Sequence, residues 1–265
     1  HNSTEYIHLL SELEKRVYAD RSQHLGDNDF YDVPIHRLLN KKYNQQRVST
    51  INFRKATPSD SISAGLFNFN ESEETTHFSI LDSFGNAVAV TTTLNTSYGS
   101  KVFVNNSGFL LNNEMDDFSS KPGSPNTYGL IGSQANSIEP GKRMLSSMTP
   151  SILEKNDNLF LVLGSPGGST IITSVFQTIL NVILFDMNIQ HAVNNKRFHH
   201  QWKPEYIYME KNLAPDSIIK SLQNMGHYVK ERNSIGHVNA IMFDENTISI
   251  GVDKRGDNSG EILNN

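Results

Sequence analysis

Residues 74–93 read Glu74-Thr75-Thr76-His77-Phe78-Ser79-Ile80-Leu81-Asp82-Ser83-Phe84-Gly85-Asn86-Ala87-Val88-Ala89-Val90-Thr91-Thr92-Thr93. Apolar residues alternate with polar or small ones on either side of Phe84-Gly85-Asn86, the pattern of strands buried on one face. A glycine–asparagine pair between two such runs marks a tight reversal. The stretch predicts a hairpin, with strands over 76–82 and 87–93 and Thr75 as its first residue.

Upstream, residues 4–19 place Tyr6, Leu9, Leu10, Leu13 and Val17 at helical spacing behind Ser3 or Thr4 as a cap. Residues 20–60 read as loops and short helices. Residues 56–74 hold Pro58, Gly65 and the acidic run Glu71, Glu73, Glu74, the texture of a linker. Downstream, 108–112 reads as a short strand. Residues 119–142, rich in glycine and proline, read as a long surface loop. A strand over 159–164 runs into Ser165-Pro166-Gly167-Gly168-Ser169 and then a buried apolar helix over 170–185. A short helix over 188–195, a strand over 206–209, a helix over 215–224 and strands near 236–243 and 247–252 complete the pattern.

Composition narrows the chemistry. The chain has 265 residues, 37% apolar and 19% charged, enough for a packed core. Its net charge is −5, and its basic residues are scattered, so neither nucleic acid nor an anionic membrane is an expected partner. With no cysteine there is no disulfide, thiolate nucleophile or thiolate zinc site. No apolar run is long enough for a membrane span.

Five stretches carry groups suited to chemistry. At Gly167-Gly168 a strand turns into a helix. The first amides of a helix lack internal partners and favour negative charge, so such a turn can hold an oxyanion, or it can be a plain connection. Thr75 is either an ordinary strand threonine or, if the chain is cut before it, a hydroxyl whose own new amine serves as base. Leu111–Phe118 is dense in acceptors but lacks the alternating oxygens of a calcium loop. Arg143–Pro150 offers the adjacent hydroxyls of Ser146 and Ser147. His199-His200 looks metal-like, but neighbours on a strand face opposite ways, which favours a structural role.

Taken together, the runs TTHFSILDSFGNAVAVTTTLNTSYGS, GFLLNNEMDDFSSKPG, KRMLSSMTPSI, GSPGGSTIITSVFQTILN and RFHHQW resemble the gamma-glutamyltransferase family, in its order and spacing. The upstream EKRVYADRSQHLGD resembles the end of that family's large subunit. The resemblance implies an α+β fold, part of the αββα sandwich of N-terminal nucleophile hydrolases. It divides the chain into 1–74, the end of the large subunit and linker, and 75–265, the small catalytic subunit. Self-cleavage between Glu74 and Thr75 would convert a zymogen and expose Thr75 as nucleophile, with Thr93 orienting it. Asn95, Glu114 and Asp117 would hold the substrate α-amino group, and Ser146 and Ser147 its α-carboxylate. Gly167 and Gly168 would form the oxyanion hole, and Tyr128 would belong to a lid. The implied substrates are glutathione or other gamma-glutamyl compounds, with water, amino acids or dipeptides as acceptors and no metal or organic cofactor. The family also uses a large-subunit arginine for the substrate carboxylate, and no residue here matches it, so the missing large-subunit portion is an expected partner. The family's usual location implies a periplasmic or extracellular protein. The alternatives are a glutaryl or cephalosporin acylase-type hydrolase, and an uncleaved or truncated chain without turnover.

Overall fold

A computed structural model describes residues 1–63, 75–124, 126, 130–244 and 247–263. In chain order it forms helices α1 (Thr4–His24), α2 (Ile35–Leu38) and α3 (Lys41–Ser49), then strands β1 (Thr76–Leu81), β2 (Ala87–Thr92), β3 (Phe103–Val104), β4 (Phe109–Leu110), β5 (Ser151–Lys155) and β6 (Asn158–Gly164). Helices α4 (Thr170–Ile183) and α5 (Ile189–Asn194) follow, then β7 (Phe198–His199), β8 (Ile207–Glu210), α6 (Asp216–Asn224), β9 (Val229–Arg232), β10 (Asn239–Asp244) and β11 (Thr247–Val252). No helix among the described residues is long and apolar enough to cross a membrane. The chain packs as two discontinuous units, His1–Ser72 with Glu114–Ser146 and Phe198–Asn233, and Glu73–Asn113 with Ser147–Arg197 and Ser234–Asn265.

The second unit is layered. Strands β11, β10, β6 and β5 form an antiparallel sheet in that order. Because strand residues alternate faces, Leu161 and Leu163 share one side with Ala240 and Met242. There they pack with Ile171 and Val175 of α4 and Ile189, Ala192 and Val193 of α5. The hairpin β1–β2 covers the opposite face as a separate two-stranded sheet that does not join its strand ladder, giving helix, sheet and sheet in succession. The hairpin turn forms at the expected Phe84-Gly85-Asn86. Asp82 Oδ1 accepts from the N–H groups of Phe84 and Asn86 at 2.9 and 2.8 Å, and Gly85 supplies φ +86°. The long apolar helix is not buried all round as expected. Its sheet side is covered, but Phe176 and Ile183 are 43% and 55% exposed.

The first unit is held differently. Its three-stranded sheet runs β7-β8-β9, with β8 and β9 parallel and joined through α6. Helix α1 is capped by Ser3, whose Oγ accepts from Tyr6 N–H at 3.2 Å, and extends to His24 rather than residue 19. Of the expected stripe Tyr6, Leu9, Leu10, Leu13 and Val17, Leu10 is buried, Tyr6, Leu9 and Leu13 are half-buried, and Val17 is 56% exposed. Beside Leu10, the residues Ile7, His8, Glu12, Lys15, Arg16 and Tyr18 turn inward. Charged residues tolerate that burial because they pair. Glu12 takes Lys15 Nζ at 2.9 Å, Arg16 Nη1 at 2.8 Å and the N–H of Thr57 at 3.0 Å. Burial alone would raise the pKa of Glu12, yet these donors pull it to about 2.

His199 and His200 are buried here in structural roles, as expected. His199 Nε2 meets Gln201 Oε1 at 2.9 Å, and His200 Nδ1 accepts from Trp202 N–H at 3.0 Å. Burial pushes His199 and His227 down to about 3, and His200 well below its ordinary value. Each is neutral when folded and takes up a proton near pH 6.5 when unfolded, so each costs stability on acidification, up to about 1.4 kcal/mol per pH unit. Asp117, raised to about 7, acts in the opposite sense over roughly pH 4–7, as does Glu114, also raised by burial. His77, likewise lowered by burial, joins the three, and four histidines outweigh two carboxyls. Stability in urea is expected to fall as the pH drops from about 6.5 to 4, and a flat or rising profile would contradict the neutral burial of these rings.

Candidate active site

Thr75 immediately precedes β1, and the pairing of Thr76 with Thr92 brings it opposite Thr93 at the open end of the hairpin. A cavity of about 430 Å³ opens there, lined by Thr75, Thr76, Thr92, Thr93, Leu94, Thr96 and Ser97. Thr93 Oγ1 accepts from Asn95 N–H at 2.8 Å, and a hydroxyl that accepts still carries a proton to donate. Asn95 is 2% exposed with φ +76°, a left-handed conformation that asparagine tolerates better than most residues. Its Nδ2 donates to the carbonyl of Asn113 at 3.2 Å, and Asn113 Oδ1 takes Thr96 N–H at 3.2 Å. The loop after β2 is thereby tied at both ends.

His77 joins this hairpin to the sheet below. One ring nitrogen meets Thr91 Oγ1 at 2.8 Å and the other Ser79 Oγ at 3.0 Å. The backbone of Gly164, at the end of β6, lies so close that an added Cβ would come within 2.3 Å of the ring. Asn239 Nδ2 donates to the His77 carbonyl at 3.3 Å from β10, where Asn239 pairs with Gly164. Burial lowers His77 to about 4, so its ring is neutral near pH 7.

Three residues past Gly164 the chain makes the glycine turn. Gly167 and Gly168 have φ +131° and +54°. Their carbonyls accept from the N–H groups of Thr170 and Ile171 at 3.0 and 3.2 Å, starting α4. Thr170 Oγ1 also donates to the Gly167 carbonyl at 2.7 Å, and a Cβ on Gly167 would meet that hydroxyl at 2.6 Å. Only glycine fits, and the turn leaves amides at the helix start, where an anion is favoured.

Thr75, Thr93, Asn95, Ser147, Gly167 and Gly168 thus fall in one unit, and Glu114, Asp117 and Ser146 in the other. Glu114 and Asp117 share one turn of 3-10 helix (Glu114–Asp117). Burial raises both carboxyls, Asp117 to about 7, with Glu114 adding to that rise and Arg21 opposing it. Two desolvated acids side by side form a place that favours a cation. Asn136, which sequence reasoning passed over as part of a loop, links the two expected substrate-binding segments in this unit. Its Nδ2 donates to the Asp117 carbonyl at 2.7 Å, and its Oδ1 accepts from Leu145 N–H at 2.9 Å, next to Ser146. Tyr128 lies outside the described residues. Among the described residues, His8, Glu12 and His227 are close enough to consider for a metal. Glu12 is already neutralised by Lys15 and Arg16, so the donor set does not suit a cation.

Comparison with known proteins follows the same lines. A family profile described as Gamma-glutamyltranspeptidase matches residues 1–263. The Escherichia coli K12 glutathione hydrolase proenzyme is 48% identical over 240 residues, 91% of this chain and 41% of its own length. The Pseudomonas aeruginosa glutathione hydrolase proenzyme is 45% identical over 265 residues, 99% of this chain and 47% of its own. The chain therefore spans less than half the length of these relatives. A structure of gamma-glutamyltranspeptidase from Pseudomonas nitroreducens complexed with L-DON superposes with TM-score 0.68 and 47% identity, covering 72% of this chain and all of that one. Cephalosporin acylase from Bacillus halodurans shares the fold, with TM-score 0.76 at 22% identity over 94% of this chain and 43% of that one.

The close approach at Gly164 makes a direct prediction. Gly164→Ala should force the His77 ring away and destabilise the protein by about 1–3 kcal/mol, the usual cost of overpacking a filled site. Equilibrium unfolding measures this, and a variant as stable as the parent would show that the two layers are not in contact there.

Proposed function

The chain belongs to the gamma-glutamyltranspeptidase family, with the fold of the N-terminal nucleophile hydrolases, and from that footing we propose that it carries the catalytic part of a gamma-glutamyltransferase and glutathione hydrolase. The observation carrying this is the junction of Thr75 and the glycine turn. One hairpin presents the threonine, and the strand that touches the hairpin at His77 continues into Gly167-Gly168.

Cleavage between Glu74 and Thr75 frees an α-amine, whose pKa of about 7.7–8.0 leaves part of it neutral near pH 7. That amine takes the proton of Thr75 Oγ1 as the oxygen attacks the γ-carbonyl of the donor. The resulting oxyanion is stabilised by the amides of Gly167 and Gly168. Collapse of the adduct breaks the amide bond, and the leaving amine takes the proton back. The γ-glutamyl group is left as an ester on Thr75. Water or the amine of an amino acid or dipeptide then attacks that ester, giving hydrolysis or transfer. Thr93 orients the nucleophile. Asn95, Glu114 and Asp117 take the α-ammonium of the donor, Ser146 and Ser147 its α-carboxylate, and Tyr128 belongs to the lid. The rest of the precursor supplies the missing carboxylate clamp, and the exposed Phe176 and Ile183 suit a chain meant to be covered further. The family's usual location makes the protein periplasmic or extracellular.

The paired acids favour an amino-bearing donor over a glutaryl one, because a buried carboxylate without a cation is penalised. Relative hydrolysis of γ-glutamyl and glutaryl anilides separates the two readings.

In the full-length precursor, Thr75→Ala should abolish both self-cleavage and turnover. Two bands of normal maturation on a denaturing gel would refute the assignment. The titration of Asp117 near 7 gives a second expectation. Below that pH the carboxyl is neutral and no longer attracts the donor's ammonium, so the KM for γ-glutamyl donors should rise as pH falls through about 7. Asp117→Asn should flatten that limb of the profile, and an unchanged slope would remove Asp117 from the ammonium site.

A further inference from the structure

Behind the glycine turn lies a second close approach of bare backbone. A Cβ on Gly167 would meet Gly236 Cα at 3.2 Å, and a Cβ on Gly236 would meet Ser174 Oγ at 2.4 Å and Ser165 Oγ at 2.8 Å. Gly236, at φ +63°, therefore passes directly beneath the turn. His237 N–H donates to Ser165 Oγ at 2.9 Å, and that hydroxyl donates to the carbonyl of Pro166 at 2.6 Å. Whatever fixes residues 235–238 also fixes the back of the turn.

One fully buried ion pair does so. Arg197 Nη2 donates to Asp253 Oδ2 at 2.9 Å, with both side chains at most 1% exposed. Arg197 Nη1 reaches the carbonyls of Ile235 at 3.0 Å and Gly236 at 3.4 Å. Asp253 Oδ2 also accepts from Val238 N–H at 2.9 Å. Arg197 Nη2 donates to the Val193 carbonyl at 2.6 Å, fixing the guanidinium to the end of α5. Arg255 completes the cluster by donating to Asp253 Oδ1 at 2.9 Å. Buried ion pairs seldom stabilise a fold more than well-packed apolar residues would, so their value lies in fixing geometry. Here the geometry fixed is that of successive peptide groups backing the turn.

We propose that Arg197 and Asp253 are positioning residues for the oxyanion turn, acting through Gly236 on Gly167. The proposal rests on the acyl-transfer reading above. Arg197 touches neither substrate nor nucleophile. Its effect belongs to the transition state, because the amides must point at the developing charge rather than at the ground-state carbonyl. A small misplacement of such a group costs rate and leaves ground-state binding alone.

The test uses the full-length precursor, with Thr75 sites counted by a covalent glutamine-analogue inhibitor and kcat expressed per labelled site. Any loss of folded or matured protein is then divided out. Arg197→Lys and Asp253→Asn should lower kcat per site about ten- to hundredfold, with KM within about twofold of the parent. A parental kcat per site, or a change confined to KM, would overturn the proposal. Should neither variant label, Ser165→Ala decides. It removes only the hydroxyl bridging His237 to Pro166 and should show the same split, with unchanged kcat per site counting against the idea. A parent protein that itself fails to label at Thr75 sinks the acyl-transfer reading instead, so the two failures are distinct.

Discussion

The contact between the His77 ring and the bare backbone of Gly164 sets the spacing of the two β layers. A side chain at residue 164 would push the hairpin off the sheet, and a smaller ring would let it settle unevenly. Because His77 lies two residues after Thr75 and Gly164 three before Gly167, this one contact ties the threonine strand to the glycine turn. The hydrogen bonds of His77 to Thr91 and Ser79, and of Asn239 to its carbonyl, fix the ring and the strand in register. Glycine thus serves two purposes along one strand and its turn, close packing at 164 and positive backbone angles at 167 and 168.

The two units reach stability by different routes. In one, Leu161, Leu163, Ile171, Val175 and Val193 form an apolar core between sheet and helices. In the other, α1 buries a charged face, and its stability depends on complete pairing of Glu12 with Lys15, Arg16 and Thr57. Lys15 gains a further partner in the carbonyl of Thr57 at 2.8 Å. Such a network specifies one arrangement and tolerates little else, since an unmatched charge in that setting costs several kcal/mol, about 3–5 when one partner is removed.

Local patterns were legible in the sequence wherever periodicity and glycine punctuation agree. The hairpin at Gly85-Asn86 and the strand-to-helix turn at Gly167-Gly168 form as expected, because their signals lie within a few residues. The charged part of the buried face of α1 was not legible, because counting apolar residues cannot anticipate that Glu12, Lys15 and Arg16 neutralise one another inside beside Leu10. Strand β5 and the short charged strand β9 (Val229–Arg232) went unnoticed, the latter because Lys230, Glu231 and Arg232 carry no alternation. In the site, Thr75 had meaning only through its motif, as a threonine opening a strand is commonplace. His77, Asn136 and Arg197 escaped notice for another reason. Their partners Asn239, Leu145 and Asp253 lie elsewhere in the chain, and only folding brings them together.

The interleaving of the segments has a consequence for a chain severed before Thr75. The amino-terminal stretch is gripped by parts of the chain far downstream. Glu14 accepts from His200 N–H at 2.8 Å, His8 meets His227 at 2.7 Å, Asp27 takes Arg143 Nε at 2.9 Å, and Trp202 Nε1 reaches the Ser59 carbonyl at 2.9 Å. These links do not cross the scissile bond covalently, yet all would have to rupture before the amino-terminal piece diffused away. Scission therefore creates a new terminus without creating a new particle, and the severed polypeptide keeps the hydrodynamic size of the intact one.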